Sequence, residues 1–257
     1  MPKYCSFCDQ KNTPRSDEHV VPKWMTKLYP HGAWAIENRL TKHVRHSTKY
    51  VHLTIPLCEL CNNGWMSQLE QKAIPILTPL IEGNRLVLSP DDQAIMKSWL
   101  CLRAMVYDLH SEIYAPRPRY FTNDEHHELA TSLSYHPYYQ FFLGRYRGSQ
   151  EGLLEEDHFD VTFLRQSTGE PVGNVTRGYS MTLVFKRLVL QTLCIKSPEP
   201  LIHVGMPDMQ GHCFQFGEPF AINSFPPFAF GDNAINDFVH RWSKYMQVAP
   251  GFPPDTE

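Results

Sequence analysis

Cys58-Glu59-Leu60-Cys61-Asn62-Asn63-Gly64-Trp65 is the stretch that decides how this 257-residue chain is read. A Cys-x-x-Cys pair makes one half of a tetrahedral thiolate site, and Cys5-Ser6-Phe7-Cys8 supplies the other half near the start of the chain. Four thiolates in two such knuckles suit Zn²⁺, whose binding can fold a small unit that lacks a full hydrophobic core. Cys5, Cys8, Cys58 and Cys61 are therefore expected to hold a structural zinc. The other three of the seven cysteines, Cys101, Cys194 and Cys213, sit in apolar runs and read as buried thiols. An odd count argues against a secreted disulfide framework.

Between the knuckles lies Glu18-His19-Val20-Val21-Pro22. Glu18-His19-Val20-Val21 reads as the end of a short strand stopped by Pro22, which cannot donate to a β ladder. Thr48 to Ile55 is rich in β-branched and aromatic residues and reads as a second strand, with Tyr29-Pro30-His31-Gly32 the clearest turn in the connection. After the second knuckle, Trp65, Met66 and Leu69 share one face of an expected helix. If that helix starts at Cys61, Asn62 lies on its first turn and can face back toward the end of the first strand. Glu18 and His19, adjacent on a strand, point to opposite sides.

On these residues the first 75 or so positions resemble the HNH, or His-Me finger, endonucleases. That family pairs an acid-His dipeptide, then an aliphatic residue and a proline, with two Cys-x-x-Cys knuckles and a His or Asn after the last cysteine. The Asn variant here is most similar to the phage endonuclease VII type. The resemblance implies a ββα-metal fold in which His19 activates water while Glu18 and Asn62 bind one catalytic Mg²⁺ or Mn²⁺. It also implies hydrolysis of DNA phosphodiesters in bacterial or phage restriction, defence or recombination. Two positions depart from the pattern. The middle asparagine has only Asn38 as a candidate, and Met66 stands where a second helix ligand would fall.

The charge distribution fits a phosphate-backbone partner. Residues 1–57 carry nine Lys or Arg against four acids, whereas the whole chain is at −3, so the acidic excess lies in the remainder. Arg39, Lys42, Arg45 and Lys49 fall in the loop and second strand that would flank a substrate cleft, and are expected to contact nucleic acid. Two rival functions stay open at this point. One is a non-catalytic zinc-knuckle protein that binds nucleic acid, and the other is a nuclease directed at RNA.

The remainder has another texture. Ser89-Pro90-Asp91-Asp92 is a helix start whose apolar spacing continues to about Leu109, and Phe121 to Leu129 opens a second helix. Strands are expected over Tyr138 to Arg145, Phe159 to Leu164, Tyr179 to Phe185, Leu201 to Val204 and His212 to Phe216. Ser180 to Ile195 has an ambiguous period that begins as strand and can continue as helix, and a last helix is expected over Asn233 to Met246. His126 and His127 are assigned to a polar helix face. The expected class is α+β: a zinc-stabilised ββα-metal module over 1–85, a mixed α/β domain over 86–248 and a flexible tail over 249–257. Hydrophobic residues at 42% and no apolar run of membrane-spanning length predict a globular chain, expected in the cytoplasm, with no membrane partner. A homodimer is left open.

Overall fold

A computed structural model describes residues 4–11, 13–28, 34–38, 43–47, 53–114, 119–149, 152–164, 171–196, 211–217, 222–223 and 227–241. Side chains are not described for 34–38, 43–47, 162–164, 171–175 and 222–223, nor for residue 114. In chain order the N-terminal part comprises β1 (Arg15–His19), α1 (Lys23–Lys27), β2 (Trp34–Asn38), β3 (His43–Ser47) and β4 (Thr54–Cys58). A widened helical turn, Cys61–Met66, leads into α2 (Ser67–Ile81). Gly64 breaks that turn, with φ −91° and ψ −112°.

β1 and β4 pair antiparallel, so Glu18 stands opposite Ile55 and His19 opposite Thr54. The first strand includes Glu18 and His19, as expected, but ends at His19, before the two valines. Val20 leaves it with one further bond, from its N–H to the Leu53 carbonyl at 2.9 Å, and Pro22 caps α1. The second strand is displaced toward the knuckle, because Ile55, Leu57 and Cys58 bury against the core. Residues 48–52 lie outside the described residues, as does the Tyr29-Pro30-His31-Gly32 turn. The connection contains a hairpin that the sequence reading did not anticipate, with β2 and β3 antiparallel and Asn38 opposite His43.

α2 runs through Pro75 and Pro79. Each proline removes an intrahelical donor and ordinarily breaks a helix. Here the buried stripe of Leu69, Ala73, Ile76, Leu77, Leu80 and Ile81 holds it against α3 (Pro90–Tyr114). α3 starts as the sequence implies: the Ser89 hydroxyl accepts the Asp92 N–H at 3.1 Å, and Asp92 Oδ2 accepts the Ser89 N–H at 2.9 Å. α4 (Asn123–Ser132) begins with a capping box between Thr122 and Glu125.

The body is a five-stranded sheet formed by β6 (Tyr139–Arg145), β7 (Gly152–Leu164), β8 (Pro171–Phe185), β9 (Leu188–Ile195) and β10 (Cys213–Gln215). Its order is β10-β6-β9-β8-β7, antiparallel throughout. The short β5 (Val87–Leu88) pairs with β11 (Ile222–Asn223). The ambiguous period of Ser180 to Ile195 resolves as strand on both sides of a tight turn at Lys186, where φ is +52° and the chain enters β9. Every β9 residue is buried, and a strand covered on both faces has lost the alternation that distinguishes strand from helix.

Two apolar clusters cover the two faces of this sheet. Tyr179, Met181 and Leu183 pack toward α3, while Val184, Val189 and Leu193 pack toward Ile235, Phe238 and Val239 of α5 (Asp232–Val239). The α3 cluster continues through α2 to Met25, Cys5 and Cys61, so the cysteine knuckles and the sheet share one core. No helix among the described residues is long and apolar enough to cross a membrane. Residues 201–204 and the tail 249–257 lie outside the described residues, as does the expected helix beyond residue 241.

Candidate metal centre and the acid-histidine strand

The Sγ atoms of Cys5, Cys8, Cys58 and Cys61 all lie within 4.8 Å of one another, and Cys8 and Cys58 are 3.5 Å apart. A tetrahedral zinc with Zn–S near 2.3 Å requires sulfurs roughly 3.8 Å apart, a spacing of the same order as those in the cluster, so the four cysteines could hold such an ion. The first knuckle is a tight turn in which the Cys8 and Asp9 N–H groups donate to the Cys5 carbonyl, with Asp9 at φ +52°. In the second, the Cys61 N–H points at Cys58 Sγ, 3.4 Å away. Phe7 carries the turn into the core, 5.7 Å from the Trp65 ring and edge-on to His126 at 4.7 Å.

The thiols divide their protons unequally. A hydrogen bond from Cys61 is the main cause that brings Cys5 down to about 4, against its burial. Burial pushes Cys8 up to about 11, and Cys61 rises chiefly because its proton is engaged by Cys5. A metal such as Zn²⁺ would replace those protons.

Glu18 and His19 close β1. Ser16 and Glu18 share one face of the strand and Asp17 and His19 the other. Asn62, one residue past the last cysteine, reaches the Ser16 side, where its Nδ2 donates to Ser16 Oγ at 2.9 Å. Glu18 is buried and ion-paired: Oε1 lies 2.6 Å from Arg103 Nη2, the two side chains being 11% and 3% exposed. Arg103 also donates through Nη1 to the His19 carbonyl at 2.8 Å and stands 3.6 Å from Glu70. Burial raises the Glu70 carboxyl, opposed by Arg103 and reinforced by Glu18. One guanidinium from α3 thus ties the end of β1 to α2.

This arrangement bears on the implied catalytic ion. The Glu18 carboxylate is in direct contact with a fixed positive charge, so Glu18 and Asn62 as they stand do not fit a Mg²⁺ or Mn²⁺ site. Arg103 would have to leave before a cation could take its place. Met66 is buried in the core, which accounts for an apolar residue at that helix position.

Of the residues expected to contact nucleic acid, Arg45 lies on β3, with its side chain outside the described residues. Arg39, Lys42 and Lys49 also lie outside them. The side chain of Asn38 is likewise not described. His126 corrects the assignment to a polar face. It is fully buried, its Nδ1 bonds the Thr122 carbonyl at 2.6 Å, and burial lowers its pKa to about 4. His127 stays at the surface side of α4, 3.2 Å from Asp9.

Arg103 was missed by reading motifs alone. Its signal was available: it is a lone charge inside Trp99-Leu100-Cys101-Leu102-Arg103-Ala104-Met105, and a charge in a wholly apolar helix segment needs a buried partner. Comparison with family models, with curated proteins and with solved structures finds no match for the chain.

Proposed function

We propose that the chain is an HNH-type endonuclease that hydrolyses DNA phosphodiester bonds, with His19 as the general base. The observation that carries this reading is the placement of Glu18-His19 at the end of β1, antiparallel to a strand that runs directly into Cys58, Cys61 and Asn62. A neutral imidazole can take a proton from water near neutral pH, and a half-buried His19 at a strand end can reach solvent on one side. The Arg103 bond to the His19 carbonyl fixes the backbone that carries the ring, and the cysteine cluster fixes the helix opposite it. The basic excess of residues 1–57 favours a polyanionic substrate. No step is assigned to Mg²⁺ or Mn²⁺ at Glu18 and Asn62, because the ion pair with Arg103 occupies the carboxylate.

That same ion pair favours a second reading, a zinc-knuckle protein that binds nucleic acid without cutting it. Incubation of the full chain with supercoiled plasmid and with structured RNA, each with Mg²⁺ or Mn²⁺, separates the two. Nicking of DNA that falls at least about 100-fold in His19→Ala is expected, in line with the usual contribution of a general base. Equal cutting by wild type and variant refutes His19 as base. Salt-sensitive binding without any cutting establishes the second reading, and cutting of RNA alone redirects the substrate.

A further inference from the structure

We propose that Asp108, Glu156 and His158 form a second divalent-cation site, separate from the cysteine cluster, that takes Zn²⁺ or a similar borderline ion with water or an anionic oxygen completing its sphere. One ligand atom from each residue lies within 4.8 Å of the other two. Asp108 comes from the C-terminal half of α3, and Glu156 and His158 come from β7 at an i, i+2 spacing. The strand's pleat is what selects them. In Glu155-Glu156-Asp157-His158 the alternate residues leave by opposite faces. Leu154 packs on the α3 side, while Leu153, Phe159 and Val161 pack toward α5. Glu156 and His158 therefore face Asp108, whereas Glu155 turns to His240 of the α5 side, 3.5 Å away.

Two carboxylates and an imidazole converge here. Asp108 is fully buried, and its Oδ2 accepts the N–H groups of Tyr120 and Phe121 at 2.9 and 3.2 Å. Backbone donors on a carboxylate favour its ionised form. A second carboxylate a few ångströms from a buried anion is repelled unless positive charge lies between them.

The surroundings also suit ligation. The Tyr179 hydroxyl, held at 3.2 Å from the Ala104 carbonyl, stands 3.4 Å from Glu156 Oε2, and its ring lies edge-on to His158 with centroids 5.0 Å apart. Tyr120, stacked on Tyr179 with centroids 5.3 Å apart, also meets the His158 ring edge-on at 6.2 Å. Such outer contacts orient metal ligands. Glu156 and His158 are half-buried rather than sealed, which leaves an entry path. One imidazole with two carboxylates suits Zn²⁺, and three protein ligands leave coordination positions open for an exogenous group.

The test is metal content of the full chain and does not depend on nuclease activity, so failure of this site and failure of the nuclease reading are seen separately. The protein is stripped with chelator under reducing conditions and titrated with Co²⁺, then with Zn²⁺ counted by mass spectrometry. Two bound equivalents are expected: one with intense thiolate-to-cobalt charge-transfer bands, the other with only weak d–d absorption. His158→Gln and Glu156→Gln should each weaken the second equivalent by at least about 10–100-fold, the range that loss of even an outer-shell contact produces. The thiolate-bound equivalent and the circular dichroism should stay unchanged. The proposal is overturned if wild type binds only the cysteine-held ion, in which case a protonated His158 neutralises the carboxylates. It is equally overturned if both variants retain the second ion at wild-type affinity.

Discussion

Replacing Arg103 by leucine should destabilise the protein by about 3–5 kcal/mol, the usual cost of removing one partner from a buried ion pair. The guanidinium meets Glu18 at 2.6 Å, Glu70 at 3.6 Å and the His19 carbonyl at 2.8 Å, with its side chain only 3% exposed. Without it, Glu18 keeps its burial and loses its counter-charge, and Glu70, already raised by burial, is raised further. The cavity that Arg103 lines is otherwise apolar, bounded by Val20, Pro22, Trp99, Leu154 and Met181, so leucine itself meets no polar mismatch. Most of the cost should therefore come from the stranded carboxylates. For a chain of this size the loss corresponds to a fall in Tm of roughly 6–20 °C. A cycle with Glu18→Gln, followed by urea denaturation, isolates the pair. Arg103→Leu should cost about 1–3 kcal/mol less in the Glu18→Gln background than in wild type. An equal cost in both backgrounds, or a loss below about 1 kcal/mol, refutes the view that this ion pair anchors β1.

Two further perturbations follow from the titrating groups. Because Cys8 and Cys61 hold their protons above neutral pH, Zn²⁺ binding at pH 7 should release both; calorimetry in buffers of different ionisation enthalpy measures the number, and no buffer dependence would exclude thiolate ligation. Burial alone would raise the Glu125 carboxyl, but Lys196 and the Thr122 N–H, both at 2.7 Å, together with the Tyr138 hydroxyl, hold it at about 2. A carboxyl depressed below its unfolded value stabilises the fold above roughly pH 4 and loses that contribution as pH falls toward 2. Glu125→Gln should therefore cost roughly 1–3 kcal/mol at pH 6, allowing for partial exposure, and almost nothing at pH 2. A difference in unfolding free energy that does not change with pH would contradict this.

Some elements were legible because their signals are local. Ser89-Pro90-Asp91-Asp92 starts a helix through a cap and a proline at the first position, and the structure places α3 there. The four cysteines converge as their spacing requires. Other elements were decided by burial. β9 looks helical or extended with equal right, since all its residues are covered, and only its pairing with β6 and β8 settles it as strand. α2 passes two prolines because six apolar side chains hold it in place, a gain that a reading of propensity cannot see. The hairpin of β2 and β3 carries no turn signature strong enough to have marked it.

By itself, the sequence determined the cysteine centre, the acid-histidine dipeptide and the boundaries of the capped helices, because each rests on chemistry within a few residues. The tertiary structure decided what those groups face. It brought Arg103 from 85 positions away onto Glu18, and it set Asp108 against two residues of an edge strand. Long-range electrostatic partners are invisible in spacing, since a buried charge acquires its meaning only from whatever the fold packs against it.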